Sequence, residues 1–200
     1  RPRWQQTPPS LRAPVRLRAS RSNLPFTVND DPKVLDDFYR RFLGSRPELV
    51  PSEEVRWIAI THKSFDQGAR GYNARLAYMG KRIADLQTSL ALLQPSHAVT
   101  PIPDPYGRTP FTHPALDQLD NLSPARKLEI LSPTRIAPLA ETYGLNHVVR
   151  WTPRMPDNLK ESGIDSVLAQ AMYAIIGAIA LEHGGAAAKA VFDSQILKSL

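Results

Sequence analysis

The stretch "GYNARLAYMGKRIADL", Gly71–Leu86, decides how the rest of the chain is read. Its apolar spacing predicts an amphipathic helix that runs on to about Leu93. Ala74, Ala77 and Lys81 fall on one narrow face at about 100° per residue, and no acid appears until Asp85. Alanine offers no metal ligand, and a lysine repels a dication. A two-metal phosphodiester site would need several carboxylates on such a face. Asp85, one turn beyond Lys81, reads as a solvated residue or a partner for Lys81 or Arg82.

Working outward, every segment with a clear period is helical. "DDPKVLDDFYRRFLGS" (Asp30–Ser45) opens with Asp30 or Asp31 as cap and Pro32 in the first turn. Val34, Leu35, Phe38, Phe42 and Leu43 form its apolar stripe, and Gly44 ends it. In "PSEEVRWIAITHKSF" (Pro51–Phe65), Ser52 is the expected cap, with Glu53 and Glu54 at the positive end of the dipole. Val55, Ile58 and Ala59 are expected to face inward. Short helices capped by Ser123 and Ser132 follow. A long apolar helix is expected over about Ile164–His183, and a last one after the Gly184–Gly185 break. No strand pattern is present, so the class is all-α.

Between these segments lies "QPSHAVTPIPDPYGRTPFTHP", a loop insertion at about 94–114 with six prolines and no usable period. The first 29 residues differ again. Arg1, Arg3, Arg12, Arg16, Arg18 and Arg21 lie there without an acid in the first 22 residues. Six of the 25 basic residues are thus in the arm, which leaves 19 against 19 acidic ones, so the net charge of +6 belongs to the arm. Five prolines exclude a continuous helix in it. Arginines on an extended chain suit phosphate and base contacts, and Trp4 adds a stacking surface. A targeting-peptide remnant or an inert tail has similar composition. The expected organisation is therefore an Arg/Pro-rich arm over 1–29 and a helical domain over 30–200.

Several chemistries are excluded. With no cysteine there is no disulfide, thiolate metal site or cysteine nucleophile. His62, His97, His113, His147 and His183 show no metal-ligand spacing with one another. Ser64 lies at a helix end and not in a nucleophile turn. There is no Gly-rich phosphate loop. No run of about 18 apolar residues occurs, so no membrane span is expected. No cofactor is expected.

Three stretches in order carry a resemblance. "ITHKSFDQGARGYNARLAYMGKRIADL" resembles the signature region of the RNase III family, whose core is close to "NERLEFLGD". Asn73, Arg75, Leu76 and Gly80 match it. "LSPTRIAPLAETYGLNHVVRW" resembles the family's helix pair, and "AMYAIIGAIALEHGG" its second motif, roughly "DTVEALIGAIYLDGG". Together they cover most of residues 50 to 195. The resemblance implies an RNase III-like helical fold with His62 as a framework residue. In active members five acids lie at the positions of Ala74, Ala77, Lys81, Gln170 and Tyr173, so it also implies a pseudoenzyme that has lost its metal-binding carboxylates. Tyr78 and Met79 match a pair whose aromatic member packs across a dimer interface in the family; an ordinary core aromatic is the alternative. The whole is similar to the RNase III-like proteins of the mitochondrial large ribosomal subunit. That implies ribosomal RNA and neighbouring mitochondrial ribosomal proteins as partners, a heterodimer with a second RNase III-like subunit, and a place in the mitochondrial matrix. An accessory subunit of another RNA-processing complex, or an endonuclease completed by a partner's acids, are the other readings.

Overall fold

The computed structural model describes residues 26–94, 104–108, 113, 116 and 118–199. Among them the regular structure is helical, with one isolated bridge between Thr61 and Arg150. The helices are α1 (Pro32–Leu43), α2 (Glu53–Ile60), α3 (Ala74–Leu92), α4 (Pro124–Ile130), α5 (Pro133–Thr142) and α6 (Ile164–Gln195).

Helix α6 is the centre. From Ala171 to Ala180 every residue is buried, as expected for a helix that is apolar on all sides. Its length and composition would allow it to cross a bilayer, but most of the apolar window is buried inside the fold, where α2, α3 and α5 pack on it. Gly184, at φ 87° and ψ 166°, breaks the helix where the sequence placed its stop.

Helix α3 lies against α6 without side chains between them at one point. A methyl group on Gly80 would sit 1.8 Å from the backbone oxygen of Tyr173, and one on Gly177 would sit 2.1 Å from that of Leu76. Only glycine permits two backbones to meet so closely.

Local side-chain caps close two of the helix starts, those of α1 and α4. Asp31 accepts a hydrogen bond from the Lys33 amide, and Pro32 occupies the first turn of α1. Ser123 accepts from the Arg126 amide at the start of α4. Ser132 makes no such bond to α5. Ser52 does not cap α2 either. Instead Glu182 of α6 accepts from the Ser52 amide at 2.6 Å and its hydroxyl at 2.5 Å. The inward face of α2 follows expectation at Ala59, which is buried, and at Val55, which packs half-buried against the core; Trp57 and Ile60 are buried as well, and Ile58 is only half-buried. Eight residues are too few for a periodic pattern to fix its phase.

Candidate functional site

The five positions singled out on α3 and α6 come together at the helix crossing. Ala77 and Tyr173 are buried, Ala74 and Gln170 are half-buried, and Lys81 is exposed. Tyr173 turns its ring into the core. Its hydroxyl donates to the Leu131 carbonyl at 2.9 Å and thereby ties α6 to the α4–α5 junction. Burial pushes the phenol pKa well above its ordinary value, and the charge of Asp85 pushes the same way.

Gln170 is similarly occupied. Its amide nitrogen donates to the Asn73 side-chain oxygen at 2.9 Å. Asn73 is fully buried; its side chain donates to the Ala59 carbonyl at 3.1 Å and its backbone amide to the Thr61 carbonyl at 2.9 Å. Gln170 also bonds the His62 side chain. His62 Nδ1 accepts from the Ser64 amide at 3.2 Å and lies 2.9 Å from the Ser64 hydroxyl. Burial holds the imidazole below its ordinary pKa, Lys63 adds to this, and the Gln170 bond partly opposes it. The polar groups around the crossing are thus spent on joining α2, α3 and α6.

The chemistry that such an arrangement permits is narrow. Among the described residues no three His, Asp or Glu side chains are gathered as a metal would require. Asp85 is 3.7 Å from Arg82 Nη1, an exposed pair of neighbouring turns. The face presents the Lys81 ammonium, which makes no ion pair among the described residues, and a wall of alanine and aromatic carbon.

Tyr78 and Met79 are on the surface, 66% and 39% exposed. Tyr78 is therefore not a core aromatic; the Arg82 guanidinium lies 5.0 Å from its ring centroid. Beside them runs a feature the sequence reading did not pick out. Leu76, Met79, Ile83, Leu86 and Leu90 are spaced three and four residues apart in turn and fall on one face of α3, and Tyr72 continues the spacing just before the helix starts. Tyr72, Met79, Leu86 and Leu90 are exposed, and Leu76 and Ile83 half-buried.

The cationic set Arg1, Arg3, Trp4, Arg12, Arg16, Arg18 and Arg21 lies outside the described residues, as does most of the insertion at about 94–114. The root of the arm is described. Phe26 meets the Trp151 ring edge to face, with centroids 5.8 Å apart. Asp30 accepts from Arg150 Nη2 at 2.7 Å. Arg150 is itself buried, 5.1 Å from the Trp57 ring centroid and 4.5 Å from that of Phe65. The sequence held a signal for this: a single cation within the apolar run "HVVRW" has to be paired once that run is buried.

The model of a family described as ribonuclease-III-like matches residues 52–200. A Neurospora crassa protein, large ribosomal subunit protein mL57, is 44% identical over 203 residues, which takes in 100% of this chain and 76% of that protein. Two solved structures of the nuclease domain of ribonuclease III from Campylobacter jejuni, the first a crystal structure, share the fold. One has a TM-score of 0.57 at 20% identity and covers 82% of this chain and 93% of that domain. The other has a TM-score of 0.57 at 19% identity and covers 83% of this chain and 98% of that domain. The second concerns structural flexibility in a region of that domain involved in dimer formation.

Proposed function

The chain belongs to the ribonuclease-III-like family, and from that premise we propose that it is a structural constituent of the mitochondrial large ribosomal subunit. On this reading it is a non-catalytic member that binds ribosomal RNA and neighbouring ribosomal proteins. The observation that carries it is the 44% identity to large ribosomal subunit protein mL57 across all of this chain. That identity spans the arm and the insertion, which a bare nuclease domain does not need.

The chemistry of the crossing supports loss of catalysis. Ala74 and Ala77 provide no oxygen, Lys81 opposes a dication, and Gln170 and Tyr173 are engaged in bonds that hold helices together. The arm residues Arg1, Arg3, Trp4, Arg12, Arg16, Arg18 and Arg21 are the proposed RNA contacts. Their composition also fits a protein of the mitochondrial matrix. The domain division, with an arm over 1–29 and a helical body over 30–200, belongs to the same proposal.

The outer stripe of α3 from Leu76 to Leu86 is the proposed seat of a second RNase III-like subunit, with Met79 within it and Tyr78 at its edge; Leu90, at the helix end, turns to the neighbouring cleft. An apolar stripe at alternating spacings of three and four residues is the pattern by which one helix meets another, and large apolar side chains gathered on a surface mark interaction sites.

Sedimentation tests the reading. The tagged full-length protein should travel with large ribosomal subunits through a high-salt gradient, which removes peripheral factors. Purified protein should leave duplex RNA uncut in Mg²⁺ or Mn²⁺. Metal-dependent cleavage that persists through further purification, or release from the subunits by salt, would overturn it.

A further inference from the structure

The C-terminal end of α3 borders a cleft of about 620 Å³, enclosed by α4 and by the end of α6 with the turn Leu197–Ser199. That volume falls in the range of about 300–1,000 Å³ usual for small-ligand sites. Leu90, Ile130 and Leu197 give it an aliphatic wall.

Four cations and two acids line the same cleft. Arg135 pairs with Glu129 at 3.5 Å, and Lys189 with Asp193 at 3.9 Å. Arg126 and Lys198 make no ion pair among the described residues, so the cleft keeps two cations in excess. Deeper in the wall, the Thr88 hydroxyl and Arg126 Nη1 are shielded from solvent and lack a hydrogen-bond partner among the described residues. Buried polar atoms are rarely left so, and each such atom calls for a partner.

An apolar wall, unsatisfied polar atoms and spare cations meet in one ligand chemistry. A nucleotide offers a base face, a polar base edge and a phosphate within one small molecule. An acidic peptide would use the cations but bring nothing flat to the aliphatic wall. RNA binders commonly take up single, unstacked bases, on aromatic faces or arginine planes; here Leu90, Ile130 and Leu197 supply the apolar face and Arg126 a guanidinium. We propose that the cleft takes one looped-out nucleotide of single-stranded RNA. Its base lies against Leu90, Ile130 and Leu197, its edge toward Thr88, and its phosphate on Arg126 and Lys198. This rests on the reading that the protein lies against RNA, and it assigns a second contact far along the chain from the arm.

The test uses the full chain and a fluorescein-labelled single-stranded RNA octamer carrying one 4-thiouridine. Irradiation should cross-link the thiouridine to peptides from the end of α3, from α4 or from the last residues. The double variant Arg126→Gln/Lys198→Gln should bind about tenfold more weakly. Its log affinity against log salt should flatten by about 1.4, the share of two single-strand phosphate contacts. Thr88→Val keeps the side-chain shape and should weaken binding severalfold for the intact octamer, with no effect on one abasic at the labelled position. Circular dichroism reports whether each variant folds. Should the double variant unfold, Lys198→Gln alone, at an exposed position, must still lower the cross-link yield. Cross-links confined to residues 1–25, with unchanged affinity in every variant, would overturn the proposal. So would an acidic peptide that displaces the cleft cross-link while an abasic RNA does not. The ribosomal reading fails separately, by loss of co-sedimentation while the cleft cross-link persists.

Discussion

Tyr173 is where loss and gain can be weighed at a single residue. In place of an acid it brings a ring that fills the crossing and a hydroxyl that satisfies the buried Leu131 carbonyl. Tyr173→Phe keeps the ring and orphans that carbonyl. The expected cost is about 2 kcal/mol, seen as a melting midpoint several degrees lower in a chain of this size; an unchanged midpoint would show the bond to be immaterial. His62 permits a test by pH. Its folded pKa lies below the ordinary 6.5 because burial disfavours the imidazolium. The unfolded chain therefore binds the proton more readily. The stability linked to His62 is complete above about pH 6.5 and is lost as pH falls toward the lower folded value. Urea unfolding at pH 7.5 and 5.5 should show this acid loss, and His62→Asn should lessen it. An equal loss in both proteins would remove His62 from the account. That positions 74, 77, 81, 170 and 173 carry no acid could be read from the sequence, and the resemblance to the RNase III family gave the reason to look at those five. What the replacements bond could not be read there: that Gln170 bonds Asn73, or that Tyr173 reaches Leu131, depends on contacts 97 and 42 residues apart in sequence.

Among the elements, α1 was the most legible, since its cap, its proline and its apolar stripe all lie within one short segment. Helix α2 was the least. Its inward face depends on packing that eight residues do not encode, and the acceptor that holds its N-cap residue Ser52 is Glu182, 130 residues away. Glu182→Ala should strip the amide and hydroxyl of Ser52 of their acceptor. A loss of about 1 kcal/mol is expected, typical of a removed N-terminal cap, and chemical denaturation would measure it. Helix α3 carries a different expectation. Met79→Asp with Leu86→Asp places two charges on its exposed stripe and should leave the midpoint of the isolated protein nearly unchanged, since both positions face solvent. Co-purification of the proposed second RNase III-like subunit should be abolished. Retention of that subunit would move the interface off α3. Light scattering of the purified chain would separately reveal a pairing of two copies.

Across the whole molecule, charge and core are divided. The body has equal numbers of acids and bases, whereas the excess of six lies in the first 22 residues. Deleting residues 1–22 should therefore weaken association with ribosomal RNA and flatten its log–log salt dependence by about five, if all six arginines meet duplex phosphates. An unchanged slope in filter binding would mark the arm as inert. The order of helices and the central place of the apolar segment could be read from the sequence, because periodicity and burial coincide there. The cleft beside α4 could not, since it exists only where three distant segments converge. The Gly80–Gly177 contact has a mechanical consequence for the assembly. With nothing compressible between α3 and α6, the pair acts as a single stiff beam. A push on the outside of α3 at that point passes backbone to backbone into α6, the centre of the fold.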